Sequence, residues 1–275
     1  MIFSDNLCFT VEEYGMKLGM INRFNAEAFD YVKSKNLSFI EVCRNYDKDA
    51  EEFIGAVEDV KRQIDRTGVQ IASVGRWNSQ PNNGGYLNAD AYALNLHLLD
   101  AAHEVGAPVF VCGCNYSKEI SLYRNYTFAI EYFSRLLERT EKYGMKLAVY
   151  NCSWENFIYS PEQWKVVLGE LPSLMIKYDA SHAYYRNADY LAELDGWCGR
   201  IAHMHIKGAV SLNGKRIDDP PAGMDNIDWQ RLFALLYKHG YDGGLSIEPH
   251  SDTWRGELGE RGVDFTINYI RPFLL

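Results

Sequence analysis

The sequence contains no long uninterrupted apolar segment and no C-x-x-C cysteine motif. No apolar run approaches the roughly 20 residues of a membrane span. The start, Met1 to Asp5, lacks the basic residues and apolar core of a signal peptide. The six cysteines are dispersed without a C-x-x-C pair, as is typical of free thiols in a reducing compartment. We therefore expect a cytoplasmic protein with no membrane partner.

Basic residues are too few for a surface that binds nucleic acid. Lys and Arg total 28 against 37 Asp and Glu, which makes the formal net charge −9 at pH 7. Phosphate binding needs a cationic face, so this balance argues against a nucleic-acid partner. Hydrophobic residues make up 47% and charged residues 24%, which is typical of a folded globular chain. A length of 275 residues suits one large α/β domain or two small ones.

Eight short apolar runs alternate with segments of helical periodicity. The predicted strands are 16–21, 37–42, 69–74, 108–112, 146–150, 174–178, 201–206 and 245–248. The predicted helices are 25–35, 49–67, 89–105, 123–143, 161–168, 189–197, 228–239 and 262–270. This alternation predicts parallel strands with right-handed crossovers, and eight such units close a (β/α)₈ TIM barrel of class α/β.

No linker-like segment divides the chain, so we predict one domain. It covers residues 1–275, and residues 1–15 form a leader segment that lies over part of the barrel. Two long polar segments, 75–88 and 207–226, are predicted to be loops, and either is long enough to cover a site.

Residues 200–208 read R-I-A-H-M-H-I-K-G, an apolar strand in which His203 and His205 share one face. A buried imidazole needs a polar partner, because an unpaired polar group costs free energy in an apolar site. Three further clusters follow apolar runs, namely Y-N-C-S-W-E (150–155), K-Y-D-A-S-H (177–182) and S-I-E-P-H (246–250). The carboxyl ends of barrel strands converge, so we expect these clusters to meet in one site.

Asp179, His205 and Glu248 lie at the ends of the sixth, seventh and eighth predicted strands. Two carboxylates and one imidazole suit Mn²⁺, Co²⁺, Fe²⁺ or Zn²⁺, and they leave positions open for substrate oxygens. The alternative is structural: Asp179 caps the next helix, while His205 and Glu248 form a buried ion pair. Three such groups on consecutive strands favour a site, with His182 and His203 as its supporting residues.

Four segments in the second half of the chain resemble motifs of a known family, the sugar phosphate isomerase/epimerase group of xylose isomerase-like barrels: D-A-S-H (179–182), H-M-H-I-K-G (203–208), P-P-A-G-M-D-N-I-D-W (220–229) and Y-D-G-G-L-S-I-E-P-H (241–250). The resemblance extends over about residues 16–275. It implies one divalent metal (Mn, Co, Fe or Zn) held by a Glu on strand five, an Asp on strand six, a His on strand seven and a Glu on strand eight.

Asp179, His205 and Glu248 match the last three of these ligands, and Glu41 matches a glutamate that is frequent on strand two of the family. Strand five departs from the pattern, because Tyr150 stands where the metal-binding glutamate is expected. Three alternatives follow. Glu155 or Asn151 reaches the metal, the site uses three protein ligands, or no metal binds.

The resemblance implies a metal-dependent sugar isomerase or epimerase that removes a proton next to a carbonyl through an enediolate. Its substrate would be a ketose, a keto-glycoside or a sugar phosphate. Glu248 is predicted to be both ligand and base, with Glu155 as the acid/base on the opposite face and His182 and Lys207 binding or polarising substrate oxygens. The predicted substrate-binding residues are Glu41, Arg76, Trp77, Asn151, His250 and Trp254.

Other classes remain open. A lyase or dehydratase of the same barrel type, acting on a dehydroshikimate-like or 3-keto sugar substrate, starts with the same proton abstraction. A degenerate barrel that binds a sugar without catalysis would explain Tyr150. An apurinic-site endonuclease is disfavoured by the charge of −9 and by the presence of only seven histidines. Barrel enzymes often pair, so a homo-oligomer is an open alternative.

Overall fold

Strand pairing runs in chain order around a closed ring. The computed structural model describes residues 15–275, so the predicted leader 1–15 lies outside the described residues except for Gly15. The barrel strands are β1 (Lys17–Ile21), β2 (Phe39–Arg44), β3 (Gln70–Arg76), β4 (Val109–Cys112), β5 (Lys146–Tyr150), β6 (Met175–Asp179), β7 (Ile201–Ile206) and β8 (Gly244–Ile247). Strand β1 pairs in parallel with both β2 and β8, which closes the ring. The predicted (β/α)₈ barrel is confirmed.

The helices that cover the barrel are α1 (Ala26–Ser34), α2 (Asp47–Gly55), α3 (Val57–Thr67), α4 (Ala89–Glu104), α5 (Leu122–Lys142), α6 (Pro161–Glu170), α7 (Ala180–Tyr185), α8 (Tyr190–Trp197), α9 (Trp229–Lys238) and α10 (Gly256–Ile270). Helix α6 begins where the sequence predicts, because Ser160 forms a capping box and proline occupies the first helical position. Helix α3 ends at Gly68, which adopts φ 78° as a left-handed cap. No helix within residues 15–275 is long and apolar enough to cross a membrane.

Three predictions about the helices were wrong in detail. The predicted helix 49–67 is two helices, because Ala56 leaves the helical conformation at φ −103° and ψ 5°. The apolar stripe continues across Ala56, so periodicity alone does not show the break. The last helix begins at Gly256 instead of residue 262, and the short helix α7 was not predicted.

Both predicted long loops contain a short antiparallel hairpin. Asn82–Asn83 pairs with Tyr86–Leu87, and Val210–Leu212 pairs with Lys215–Asp218. The second hairpin turns at Asn213 and Gly214, which both have positive φ. Asn-Gly is a strong turn signal between short strands, so this hairpin was visible in the sequence.

Gly19 in the barrel wall leaves room for the ring of Phe39 inside the barrel. A Cβ atom on Gly19 of β1 would overlap both the ring and the carbonyl oxygen of Phe39. The ring of Phe39 in turn meets the imidazole of His203 edge-on, with centroids 5.8 Å apart. The absence of a side chain at position 19 therefore helps to place a histidine of the central cluster.

We expect Gly19→Ala to lower the free energy of unfolding by about 1–3 kcal/mol, because the added methyl group overpacks the barrel interior. Gly55→Ala is the matched control, since no atom lies within 4 Å of the Cβ position there. Urea unfolding followed by circular dichroism measures both. Equal stability of the two variants would contradict this account of Gly19.

Candidate active site

The ends of three consecutive strands bring two carboxylates and an imidazole together. Asp179 ends β6, His205 is its register partner on β7, and Glu248 directly follows β8. Ligand atoms of these three residues all lie within 4.8 Å of one another. His205 Nδ1 is 3.0 Å from Glu248 Oε2 and 3.7 Å from Asp179 Oδ2. The convergence expected from the sequence is present in the structure.

Glu41 on β2 is fully buried beneath this cluster and binds both histidines of β7. His203 Nε2 lies 2.8 Å from its carboxylate, and His205 Nε2 lies 3.0 Å from it. A carboxylate only accepts hydrogen bonds, so each Nε2 must carry a proton. His205 therefore directs Nδ1 towards Asp179 and Glu248. Burial alone would raise the pKa of Glu41, but the two imidazoles hold it well below its ordinary value.

The two carboxylate oxygens of Asp179 have different surroundings: one caps a helix and the other faces the cluster. Its Oδ1 accepts a hydrogen bond from the backbone N–H of Ser181 at 2.9 Å and so caps α7. The structural alternative is therefore correct for this oxygen. Its Oδ2 is buried and has no hydrogen-bond partner of acceptable geometry, although Lys207 Nζ is 2.7 Å away. One oxygen thus remains directed at the cluster.

Lys207 neutralises the carboxylates in the structure. Its Nζ lies 2.7 Å from Asp179 Oδ2 and 3.0 Å from Glu248 Oε2. Burial opposes ionisation of these groups, yet the ammonium keeps the pKa of both carboxyls well below the ordinary range, and they in turn raise the pKa of Lys207. His182 Nε2 lies 3.3 Å from the same Nζ, and burial together with this ammonium lowers the pKa of His182 to about 3. His182 is therefore a neutral imidazole at pH 7.

His205 is held differently from His182. Burial alone would lower its pKa, but the carboxylates of Glu41 and Glu248 raise the pKa of His205 to about 10. A metal ion at Nδ1 would have to displace a proton from this atom, as metal binding to histidine commonly does.

A cavity of about 1160 Å³ opens at the carboxyl ends of the strands, above the cluster. This volume is slightly above the usual range for small-molecule pockets, about 300–1,000 Å³. The sequence-predicted residues that line the cavity are Trp77, His182, His205, Lys207, Glu248, His250 and Trp254. Its wall therefore combines aromatic rings with the charged cluster, which is suited to a polar ring-shaped ligand.

Besides Asp179, four sequence-predicted residues do not line this cavity, and two of them are held outside the cluster. The Glu155 side chain binds the amide of Gln80 instead of facing Glu248. The Arg76 guanidinium is buried and binds Asp47 and the carbonyl oxygen of Trp77. Glu155 and Arg76 therefore contact other parts of the protein and do not line the cavity.

The other two residues outside the cavity, Asn151 and Glu41, support the cluster from below. Asn151 accepts a hydrogen bond from the backbone N–H of Asp179 and donates one to its carbonyl oxygen, both at 2.9 Å. Asn151 therefore positions Asp179, and Glu41 positions the two histidines.

Tyr150 fills the place on strand five where the resemblance implies a glutamate. Its hydroxyl donates to the carbonyl oxygen of Trp154 at 3.0 Å, and its ring stacks on Trp77 with centroids 5.0 Å apart. Glu155 and Asn151 are both occupied elsewhere, so neither replaces the missing ligand. A three-ligand site and a site without metal are the alternatives that remain.

The three residues Asp179, His205 and Glu248 fit a divalent metal. The Oδ2 atom of Asp179, the inward Nδ1 of His205 and a carboxylate oxygen of Glu248 form an O, N, O donor set. Such a set suits Mn²⁺, Co²⁺, Fe²⁺ or Zn²⁺. Glu41, which fixes the orientation of His205 through Nε2, is the carboxylate partner that metal-bound histidines usually have.

Sequence reasoning missed Lys177, Cys43 and Cys152, which also line the cavity. Lys177 lies two residues before Asp179 on β6, so the period of a strand places both side chains on the same face. The signal for Lys177 was therefore present in the segment K-Y-D.

A ring of titratable side chains at the carboxyl ends of the strands of a (β/α)₈ barrel is the arrangement found in barrel enzymes. Residues 29–271 match the family described as the xylose isomerase-like TIM barrel. The chain belongs to this family, as the motifs in its second half predicted.

Two curated relatives from Bacillus match part of the chain. An inosose dehydratase of Bacillus licheniformis is 27% identical over 137 residues, which are 44% of this chain and 46% of the relative. The uncharacterized protein YfiH of Bacillus subtilis is 26% identical over 166 residues, 52% of this chain and 53% of the relative. The chain thus spans about half the length of the curated relatives that it matches.

Solved structures of sugar epimerases share the fold. A 3-keto-D-glucoside 4-epimerase from E. coli superposes with a TM-score of 0.75 at 16% identity, covering 94% of this chain and 99% of that one. A D-psicose 3-epimerase from Clostridium cellulolyticum H10, with D-tagatose, gives a TM-score of 0.73 at 14% identity, covering 94% and 99%. At these identities the likeness concerns the fold.

We expect Glu41→Gln to lower the free energy of unfolding by about 1–3 kcal/mol, because the amide NH₂ would replace one of the two oxygens that lie 3.0 Å from His205 Nε2 and would oppose its N–H. The amide keeps the shape of the side chain but offers a single acceptor oxygen. Glu138→Gln, on the exposed face of α5, is the matched control. Thermal and urea unfolding of the variants and the wild type provide the measurement. Wild-type stability of Glu41→Gln would show that the histidines do not depend on this carboxylate.

Proposed function

We propose that the protein is an isomerase or epimerase of a ketose, keto-glycoside or sugar phosphate, and that it abstracts a proton next to the substrate carbonyl. The observation that carries this proposal is the position of Glu248. Its carboxylate belongs to the buried cluster and also lines the cavity, whereas Glu41 and Asp179 do not line it. Glu248 is therefore the carboxylate of the cluster that a bound sugar would meet.

We further propose that Asp179, His205 and Glu248 hold one divalent metal ion, Mn, Co, Fe or Zn. When bound, such an ion supplies positive charge that stabilises the negative charge developing on the substrate oxygens. The donor set described above supports this assignment.

Burial opposes ionisation of Glu248, but Lys207 and His205 keep the pKa of its carboxyl below the ordinary value, so Glu248 is charged and able to accept a proton when substrate binds. Glu248 takes the proton and loses its charge, while Lys207 keeps its contact with Asp179 at 2.7 Å. The Lys207 ammonium then has a free N–H for a substrate oxygen, because lysine carries three donors. His182 donates or accepts a hydrogen bond without adding charge.

Aromatic side chains complete the substrate site. Trp77, Trp154 and Trp254 all line the cavity, where their rings would cover the apolar face of a sugar and exclude water. The solved structures that share this fold include epimerases of a 3-keto-D-glucoside and of D-psicose, which supports a carbohydrate substrate. A cytoplasmic location and a homo-oligomer stay predictions.

A dehydratase is a second candidate. It is favoured by the position of the groups that could donate a proton to the substrate after Glu248 has removed one. Glu155 was predicted as the acid opposite Glu248, but its carboxylate binds the amide of Gln80 and does not line the cavity. The Lys207 ammonium lies on the cavity wall, 3.3 Å from the neutral imidazole of His182, and is the proton donor available to a departing hydroxyl group. The inosose dehydratase relative supports this alternative. It shares the first step with the isomerase and differs in the product.

Metal content tests the proposed ligands. We expect the wild type, purified and then incubated with Mn²⁺, to retain about one equivalent after gel filtration, and Asp179→Asn and Glu248→Gln to lose it. Glu155→Gln is the control and should retain the metal, because this side chain binds Gln80. Elemental analysis provides the measurement. No retained metal in any sample would leave the three residues without this role.

Hydrogen exchange tests the chemical step whichever product is formed. In D₂O with Mn²⁺, we expect the wild type to introduce deuterium next to the carbonyl of at least one sugar in a panel of ketoses, 3-keto-glycosides and ketose phosphates. Glu248→Gln should slow this exchange by about 10²–10⁴-fold, the usual contribution of a general base. Glu138→Gln controls for the loss of a distant carboxylate. Nuclear magnetic resonance detects the label and separates an isomer from a dehydrated product. Binding of a sugar without any exchange would indicate a non-catalytic barrel.

A further inference from the structure

We propose that Lys177 is an additional catalytic residue, whose ammonium binds the substrate oxygen that carries negative charge beside the site of proton abstraction. This inference rests on the proposed proton abstraction and names a second cation, besides Lys207, that recognises the charge.

Lys177 lies inside the barrel at the floor of the cavity. It is in register with Tyr150 of β5 and His203 of β7, and its residue is only 3% exposed. Its side chain nevertheless lines the cavity. A ligand that reaches Glu248 would therefore also meet the Lys177 ammonium.

The two buried lysines differ in their partners. Lys207 lies within 3.0 Å of two carboxylates. For Lys177, no carboxylate oxygen within residues 15–275 lies closer than the 4.0 Å limit of an ion pair. Its one hydrogen-bond contact in that part of the chain is His205 Nδ1 at 2.7 Å, and the ring of Trp77 lies 5.8 Å from Nζ. A buried cation without a paired anion is costly, so a structural reason alone does not account for it.

His205 cannot remain the partner of Lys177 when the site is in use. Nδ1 has one lone pair, and it is the atom that the proposed metal would occupy. Glu248 Oε2 also lies 3.0 Å from Nδ1, so Lys177 shares this one atom with a carboxylate even when no metal is bound. Apart from that shared atom, Lys177 has the cavity as its neighbour. The ligand that best replaces this acceptor is an anionic oxygen.

Two sources can supply such an oxygen. One is the enediolate formed when Glu248 removes the proton, and the other is a carboxylate already present in the substrate. Both place negative charge on an oxygen near the reacting carbon. The arms of the experiment distinguish them.

Isothermal titration calorimetry with oxalate, a planar dianion that resembles an enediolate, tests the proposal on metal-stripped protein. We expect Lys177→Met to bind oxalate about 10- to 100-fold more weakly than the wild type, the usual value of a charge-assisted hydrogen bond. Lys146→Met, which removes the same charge from the exposed start of β5, should bind like the wild type. D-Galacturonate and D-galactose form the second arm.

The outcomes separate the two sources and can refute the proposal. Binding of galacturonate that depends on Lys177, with no binding of galactose, assigns the charge to a substrate carboxylate. Binding of oxalate alone assigns it to the enediolate. Equal oxalate affinity of Lys177→Met and the wild type, or no oxalate binding by the wild type, would overturn the proposal. The oxalate titration measures binding and not turnover. Its result is therefore independent of the deuterium exchange, which tests the proposed function.

The melting temperature gives an independent readout of a merely structural role. We expect Lys177→Met to melt at or above the wild-type temperature, since methionine fills a similar volume and removes an uncompensated charge. A structural lysine that holds His205 in place would show the opposite, a lower melting temperature with unchanged oxalate affinity.

Discussion

The carboxylate of Glu41 shared by His203 and His205 is the contact on which the centre of the barrel depends. It is completely buried, and it fixes the protonated nitrogen of both imidazoles. Because Nε2 of His205 binds Glu41, the other ring nitrogen, Nδ1, faces Asp179 and Glu248. Glu41 does not line the cavity, yet it determines which nitrogen of His205 is available at the cavity floor.

The charges around this contact are distributed unequally. Lys207 pairs with two carboxylates, those of Asp179 and Glu248, whereas the third carboxylate, Glu41, binds the two histidines. Lys177 is left facing the cavity. A pocket built in this way favours ligands that gain negative charge at its floor, because no carboxylate of residues 15–275 pairs with Lys177 and offsets its charge.

The sequence predicted the elements that follow strong periodic patterns. Eight strands, and three strand-end residues that meet, could be found because alternation and strand order determine where carboxyl ends converge. The sequence did not predict the side-chain directions of Glu155 and Arg76. Both residues lie near the carboxyl ends of the strands, and only their side-chain partners determine whether they face the cavity. Gln80 binds Glu155 and Asp47 binds Arg76. These contacts are long-range and carry no local signal.

Tyr150 limits how a fourth acidic ligand could be installed in this barrel. A Cβ on Gly113 would lie 2.5 Å from the Tyr150 hydroxyl oxygen, and one on Gly75 would overlap Trp77, the ring that stacks on Tyr150. Two glycines are thus fitted to two aromatic rings. Replacing the tyrosine alone with glutamate would empty the space that Gly113 leaves and strip Trp77 of its stacking partner. A glutamate in place of Tyr150 would therefore leave a void beside Gly113 unless neighbouring side chains changed with it.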